Sequence, residues 1–258
     1  MTQADKARSF AELHVPGRPL VLYNIWDAGG AKAIAKAGAT AIATGSWSVA
    51  AAHGYADGQA IPLDLVLQIA ARITATVDLP VTIDFEGGYA EAPDEVAANV
   101  ARLIAAGAIG INFEDQTIGG SGLYPVDAQC AKIAAVRKAA QVADLPLFIN
   151  ARTDLFLKEK ERSKHADLMA DAKERAAAYA QAGANGFFVP GLVTPDLIGA
   201  ICDAADLPVN IMAMGGAPAT EELASLGVAR VSYGPAPYFE AIAALTERFQ
   251  QISGSKAG

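Results

Sequence analysis

The chain is expected to fold as a single α/β domain over residues 1–258, a (β/α)8 barrel of the TIM type. Three observations carry that expectation. Short β-branched or aromatic runs alternate with longer Ala-rich stretches of helical spacing, eight times in about 250 residues. The same Gly and Pro punctuation recurs at the junctions. Polar side chains, above all carboxylates, crowd one end of the apolar runs.

The first unit is an apolar run at 20–25 and a helix at 28–37, with Asp27 in the position of a helix N-cap. The second is a run at 39–44 and a helix at 62–77, and the loop between them carries Ser46, Trp47 and Asp57. Runs and helices then follow at 81–85 and 93–106, 108–113 and 127–142, 147–151 and 166–182. The last three units are 186–189 with 195–205, 209–213 with 220–226, and 230–233 with 238–251. Uninterrupted apolar runs of this length read as strands covered on both faces, as in a parallel sheet. Ala-Gly-Ala recurs at Ala37-Gly38-Ala39, Ala106-Gly107-Ala108 and Ala182-Gly183-Ala184, where Gly suits a left-handed helix C-terminus. Asp-Leu-Pro recurs at 78–80, 144–146 and 206–208, where Pro stops a helix and opens a strand. An open doubly wound sheet is the alternative. It calls for a Gly-rich phosphate fingerprint after the first strand, and Asp27-Ala28-Gly29-Gly30 is not that motif. The charged segment 158–164 reads as a solvated loop.

Composition narrows the function. With 52% hydrophobic and 19% charged residues the chain can build a large core. A net charge of −8 argues against nucleic acid and does nothing to recruit an anionic membrane. Cys130 and Cys202 lie far apart in helical segments, which fits a reducing, cytoplasmic setting and offers no thiolate metal site. The polar start of the chain shows no signal-peptide pattern, and no apolar stretch reaches the roughly 18 residues of a membrane span.

Barrel enzymes place their chemistry at the C-terminal ends of the strands. Those ends carry Asp27, Ser46, Trp47, Asp84, Glu86, Glu114, Asp115, Gln116, Arg152, Asp154, Pro190, Met214, Gly215 and Gly234. Asp84 and Glu86 close one run, and Glu114 and Asp115 close the next. Gathering so many carboxylates is unfavourable unless positive charge sits among them. A hard divalent cation, Mg²⁺ with Mn²⁺ as the substitute, is the simplest answer, because such ions prefer oxygen ligands. Asp115 has a protein cation as an alternative partner. Trp26 and Trp47 read as core aromatics, although Trp47 stands where a substrate would lie. His53 reads as a surface residue, and His14 and His165 lie away from the strand tips.

Five stretches together look familiar: Asn24-Ile25-Trp26-Asp27-Ala28, Ala43-Thr44-Gly45-Ser46-Trp47-Ser48 with Asp57 downstream, Asp84-Phe85-Glu86-Gly87-Gly88-Tyr89, the run from Gly107 to Gln116, and Ile149-Asn150-Ala151-Arg152-Thr153-Asp154. On these the chain resembles the isocitrate lyase / phosphoenolpyruvate mutase superfamily over roughly residues 15–235. The resemblance implies a (β/α)8 barrel, Mg²⁺ bound partly through water, and small 2-oxo or 2-hydroxy acid substrates that pass through an enolate-like pyruvate fragment. It also implies roles. Asp84, Glu86 and Glu114 hold the metal or its waters, Asp57 stands near the reacting end, and Glu114 and Arg152 belong to the catalytic group. Ser46 (or Ser48, after a one-residue shift) and the Ser46 and Trp47 N–H groups grip the substrate carboxylate, Arg152 pairs with a second acidic group, and Asn210 adds a polar contact. A homo-oligomer, dimer or tetramer, is implied as well.

The chain departs from this pattern in one place. Lyases of the superfamily carry a Lys-Lys/Arg-Cys-Gly-His loop after Glu-Asp-Gln, with its Cys as general acid. Here that stretch is Thr117-Ile118-Gly119-Gly120-Ser121-Gly122-Leu123-Tyr124, without Cys, His or Lys. Isocitrate-type cleavage by the usual route is therefore disfavoured, and the Gly-rich run is expected to act as a mobile lid. The leading expectation is a Mg²⁺-dependent lyase or decarboxylase of a small 2-oxo or 2-hydroxy acid, with oxaloacetate or a substituted relative as the preferred substrate type. The alternatives are a P–C bond mutase or hydrolase of the phosphonate branch and a non-catalytic 2-oxo acid binding barrel.

Overall fold

Eight parallel strands succeed one another around a barrel in chain order. They are β1 (Leu20–Leu22), β2 (Ile42–Ala43), β3 (Val81–Asp84), β4 (Gly110–Glu114), β5 (Phe148–Arg152), β6 (Gly186–Phe188), β7 (Val209–Met212) and β8 (Arg230–Ser232). The computed structural model describes residues 1–117 and 119–254. β1 pairs with β8 in parallel, and the seam between β1 and β2 is closed by a bridge of Ile25 with Thr44. The expected (β/α)8 barrel is therefore the observed fold. All eight predicted runs contain a strand; most are shorter than predicted, while β4 and β5 start late and run one residue further, to Glu114 and Arg152.

The outer helices are α2 (Ala28–Lys36), α4 (Leu63–Thr76), α5 (Pro93–Ala105), α6 (Val126–Val142), α8 (Met169–Ala182), α9 (Pro195–Ala204), α10 (Thr220–Ser225) and α11 (Ala236–Ser253), with α1 (Gln3–Glu12), α3 (Ser46–Ala52) and α7 (Leu155–Lys158) as additions. Asp27 caps α2, accepting from Gly30 N–H at 2.6 Å. Its role is thus the helix cap. Gly38, Gly107 and Gly183 all take positive φ at helix ends, as the Ala-Gly-Ala repeats require. Residues Arg162–Leu168 form a 3-10 helix leading into α8, so the charged segment is partly ordered.

Three features depart from the sequence reading. α1 stops the N-terminal mouth of the barrel: Phe10 is fully buried, and His14 stacks on Phe148 with ring centroids 4.1 Å apart. Gln3 Nε2 ties the same helix to the carbonyls of Ile104 and Ala108 at 2.8 and 2.9 Å. α3 begins at Ser46 itself, so Ser46 and Trp47 stand in a first helical turn, where N–H groups lack intrahelical acceptors. α11 leaves Phe239, Ile242, Leu245, Phe249 and Ile252 exposed along one helical face. Among the described residues no helix is long and apolar enough to cross a membrane.

Candidate functional site

The C-terminal rim of the barrel encloses a cavity of about 210 Å³. Asp57, Asp84 and Arg152 line one side, and Leu157, Phe188, Met212 and Pro235 supply an apolar wall. Asn24, Ser46, Trp47, Asn112 and Ser232 complete it. The strand register explains the convergence. Asp84 lies beside Asn112 across the β3–β4 ladder, and Glu114 lies beside Arg152 across β4–β5.

Asp84 accepts two hydrogen bonds on Oδ2, from Ser46 N–H at 2.9 Å and Ser46 Oγ–H at 2.8 Å. Its Oδ1 is buried and meets no donor. Ser46 therefore spends both its donors on Asp84 in this arrangement. Glu86 is buried, and both its oxygens are taken, Oε2 by Gln59 N–H at 2.6 Å and Oε1 by Tyr89 Oη–H at 3.0 Å. Burial, then the charges of Asp57 and Asp84, pushes the Glu86 carboxyl up to about 7. Its backbone is in the left-handed region (φ 49°), as is that of Tyr89 (φ 60°). The turn between them closes through Gly88, where a Cβ would lie 2.8 Å from Val96 Cγ1. Strain of this kind persists only where its surroundings enforce it.

Glu114 Oε2 forms an ion pair with Arg152 Nη1 at 3.0 Å. Burial pushes the Glu114 carboxyl well up against the pull of Arg152. Burial also opposes the charge on Arg152, but Glu114, Asp154 and Asp84 together hold it firmly protonated. Arg152 is braced a second time by Asp154, through Nε to Oδ1 at 2.6 Å and Nη2 to Oδ2 at 3.0 Å, a bidentate pairing that fixes the guanidinium plane. Asp154 is held in turn by the fully buried Asp115, whose Oδ1 accepts its N–H at 3.0 Å. Asp115 Oδ2 accepts from Arg175 Nη1 at 3.1 Å and Tyr179 Oη–H at 2.8 Å. The partner of Asp115 is thus a protein cation, the alternative that its sequence position left open. Asp57 stands on the open rim. Partial burial, then the charge of Asp84, raises its carboxyl, with Arg152 opposing.

Asn210 lies inside the barrel, bonded through Nδ2 to Ser232 Oγ at 3.1 Å, and does not line the cavity. His53 is at the surface with Nδ1 on Val49 O, and Cys130 sits in α6 away from the cavity lining. Trp47 lines the cavity and leans on Phe239 of α11 at 4.5 Å between centroids. The Gly-rich stretch closes on itself: Gln116 bridges Leu123, and Thr117 N–H donates to Gly122 O at 3.1 Å. Ile118 lies outside the described residues.

Sequence reasoning missed the apolar wall, the Gln59 N–H and Ser232, and gave no role to Tyr89 and Asn112, although both stand in the stretches that carry the resemblance. Asn112, Asn150 and Asn210 each interrupt an apolar strand run, and that interruption was the available signal. Among the described residues no three acidic, His or Cys side chains stand close enough to cage an ion unaided. The donor set would suit an ion that keeps most of its waters, as Mg²⁺ does, with Asp84 Oδ1, which no protein donor meets, as the oxygen free to hold it.

Comparisons with known proteins find the same fold. The phosphoenolpyruvate phosphomutase family profile matches residues 10–253. A Burkholderia cenocepacia J2315 crystal structure, provisionally named a phosphonomutase, is 47% identical with a TM-score of 0.94, covering 97% of this chain and 99% of its own. The 2-methylisocitrate lyase of Escherichia coli (strain K12) is 31% identical over 93% of this chain and 85% of that protein. An oxaloacetate decarboxylase of Bradyrhizobium sp. (strain BTAi1) is 30% identical over 83% and 73% respectively. A phosphonopyruvate hydrolase solved with oxalate and Mg²⁺ shares the fold at 24% identity and a TM-score of 0.85, covering 98% of this chain and 87% of its own. With its fold, its rim of acids and a profile match spanning nearly its whole length, the chain belongs to the phosphoenolpyruvate phosphomutase family.

Proposed function

We propose that the protein is a Mg²⁺-dependent lyase or decarboxylase of a small 2-oxo or 2-hydroxy acid, with oxaloacetate or a substituted relative as substrate. The observation that carries this reading is a cavity that gathers Asp84, Asp57 and Arg152, with an Asp84 Oδ1 that no protein donor meets. The similarity to 2-methylisocitrate lyase and oxaloacetate decarboxylase supports it. Asp84 would hold the ion directly, with Glu86 and Glu114 bonding its waters. When bound, such an ion supplies Lewis-acid stabilisation to the negative charge that develops on the keto oxygen.

The chain's own groups do the rest. Arg152, fixed by Asp154 and Glu114, orients a substrate carboxylate, and the Trp47 N–H at the start of α3 adds a donor. The wall of Leu157, Phe188, Met212 and Pro235 excludes water from the bond that breaks. For oxaloacetate the C3–C4 bond breaks and CO₂ leaves. Its electron pair passes to the enolate of pyruvate, and a proton returns to C3. Asp57 lines the same cavity and is placed to deliver it, and burial with the charge of Asp84 raises its carboxyl in the direction that suits a proton donor.

The test is release of pyruvate and CO₂ from oxaloacetate and substituted 2-oxo acids, stopped by EDTA and restored by Mg²⁺ or Mn²⁺. Failure of every 2-oxo and 2-hydroxy acid in the panel would overturn the reading. The Burkholderia cenocepacia relative favours a second reading, P–C bond chemistry, for which phosphate release from phosphonopyruvate is the assay. Pyruvate or oxalate raising the melting temperature without turnover would instead mark a binding barrel. For the exposed apolar face of α11 we propose a second copy of this chain as the partner, in a homo-oligomer.

A further inference from the structure

The floor of the cavity is built around a cation whose bonded partners are all neutral. Arg230 in β8 is fully buried. Its Nη2 donates to Asn112 Oδ1 at 3.0 Å and its Nε to Ser232 Oγ at 3.2 Å, while Nη1 is buried without an acceptor. The charge of Asp84 offsets part of the cost of burying Arg230, but an aliphatic side chain of similar volume would pack there without that cost. Its presence therefore points away from packing and toward the two residues it holds, both of which line the cavity.

The geometry at Asn112 is informative. Arg only donates, so the Asn112 atom that meets Arg230 has to be the amide oxygen. Asn150 Nδ2 donates to the same oxygen at 2.9 Å. Two donors on Oδ1 fix the amide in one orientation, and Nδ2 is the polar atom left to the cavity. Donation into Oδ1, from a cation on one side, also polarises the amide and strengthens Nδ2–H as a donor. The register sets Asn112 directly beside Asp84, so this donor flanks the position at which ligand oxygens would gather.

We infer that Asn112 is a substrate-positioning residue whose Nδ2–H donates to a carboxylate or keto oxygen of the bound 2-oxo acid, and that Arg230 is a positioning residue that locks this donor from inside the barrel. The inference rests on the reading of the cavity as a 2-oxo acid site. It assigns the floor of that cavity to the oxygen-rich end of the ligand, and it gives the acidic rim a counterpart on the opposite side of the same anion.

Asn112→Asp is the decisive variant. It keeps an oxygen for both Arg230 and Asn150 and replaces the cavity-facing NH₂ with a second carboxylate oxygen, and Asn112→Ala removes the donor without adding charge. A purely structural role predicts no loss of ligand binding in Asn112→Ala. Titration calorimetry with oxalate and with pyruvate, each at saturating Mg²⁺, should show affinity weakened at least about a hundredfold in Asn112→Asp and about tenfold in Asn112→Ala. Cooperative unfolding in urea should be retained in both. Arg230→Gln keeps a donor to Asn112 but removes the charge, and should weaken binding several-fold; with a substrate that turns over, KM should rise more than kcat falls. Should Arg230→Gln not fold, the two Asn112 variants decide the matter alone. Binding by Asn112→Ala or Asn112→Asp within twofold of the unsubstituted protein overturns the inference and leaves the proposed function standing. Failure of the unsubstituted protein to bind either anion removes the 2-oxo acid site itself, and the inference falls with it.

Discussion

His14 makes the protein sensitive to mild acid, and the size of the effect follows from its surroundings. The ring is buried between Phe10 and Phe148, Nδ1 bonds Phe10 O at 2.8 Å, and Nε2 has no partner. Burial, then the positive charge of Arg230, pulls its pKa down to about 3, with the Phe10 carbonyl opposing. A base whose pKa is lower in the folded state contributes stability that is complete above the unfolded value, about 6.5, and is lost as pH falls toward 3. Between pH 7.5 and 4.5 the unfolded chain takes up a proton that the folded chain refuses. At about 1.4 kcal/mol per pH unit over the two units below 6.5, this linkage removes about 2.5 kcal/mol. His14→Phe keeps an aromatic ring between its neighbours and cannot titrate. Urea unfolding of both proteins at pH 7.5 and 4.5 isolates the term, since every other titrating group is common to them. The stability lost on acidification should be about 2.5 kcal/mol smaller in His14→Phe. Equal losses in the two proteins would show that His14 titrates normally and that the sealed mouth of the barrel has been misread.

Three further outcomes follow from the site and its supports. Asp115→Ala leaves Asp154 N–H and Tyr179 Oη without their acceptor and strips Arg175 of a buried partner, so unfolding free energy should fall by about 3 kcal/mol or more, read from urea titration. Asp115→Asn, which keeps an oxygen for Asp154, should lose less; the reverse ranking would contradict the bracing of Arg152 through Asp154. Asp84→Asn should abolish the gain in melting temperature on adding Mg²⁺, whereas an unchanged gain would place the ion elsewhere. Leu245→Glu with Phe249→Glu on α11 should lower the mass measured by sedimentation equilibrium without altering circular dichroism, and an unchanged mass would exclude this face from self-association.

Local chemistry decided much of this architecture before any contact was known. Parallel strands buried on both faces need unbroken apolar runs, and helices returning to them need a left-handed exit and a proline-marked entry, so the eightfold alternation and its Gly and Pro signals were readable in the chain. The carboxylates at the tips of β3 and β4 were equally plain, because charge at the end of an apolar run has no packing purpose. Partner choice was beyond such a reading. Whether Asp115 faces an ion or Arg175, whether Glu86 yields an oxygen to Gln59, and whether Ser46 serves a ligand or Asp84 all depend on distances between residues tens of positions apart. Arg230 is the clearest case. In the sequence it opens a short strand, and only closure of the barrel encloses its charge beneath Asn112 and Ser232, where neutral neighbours make a buried cation matter.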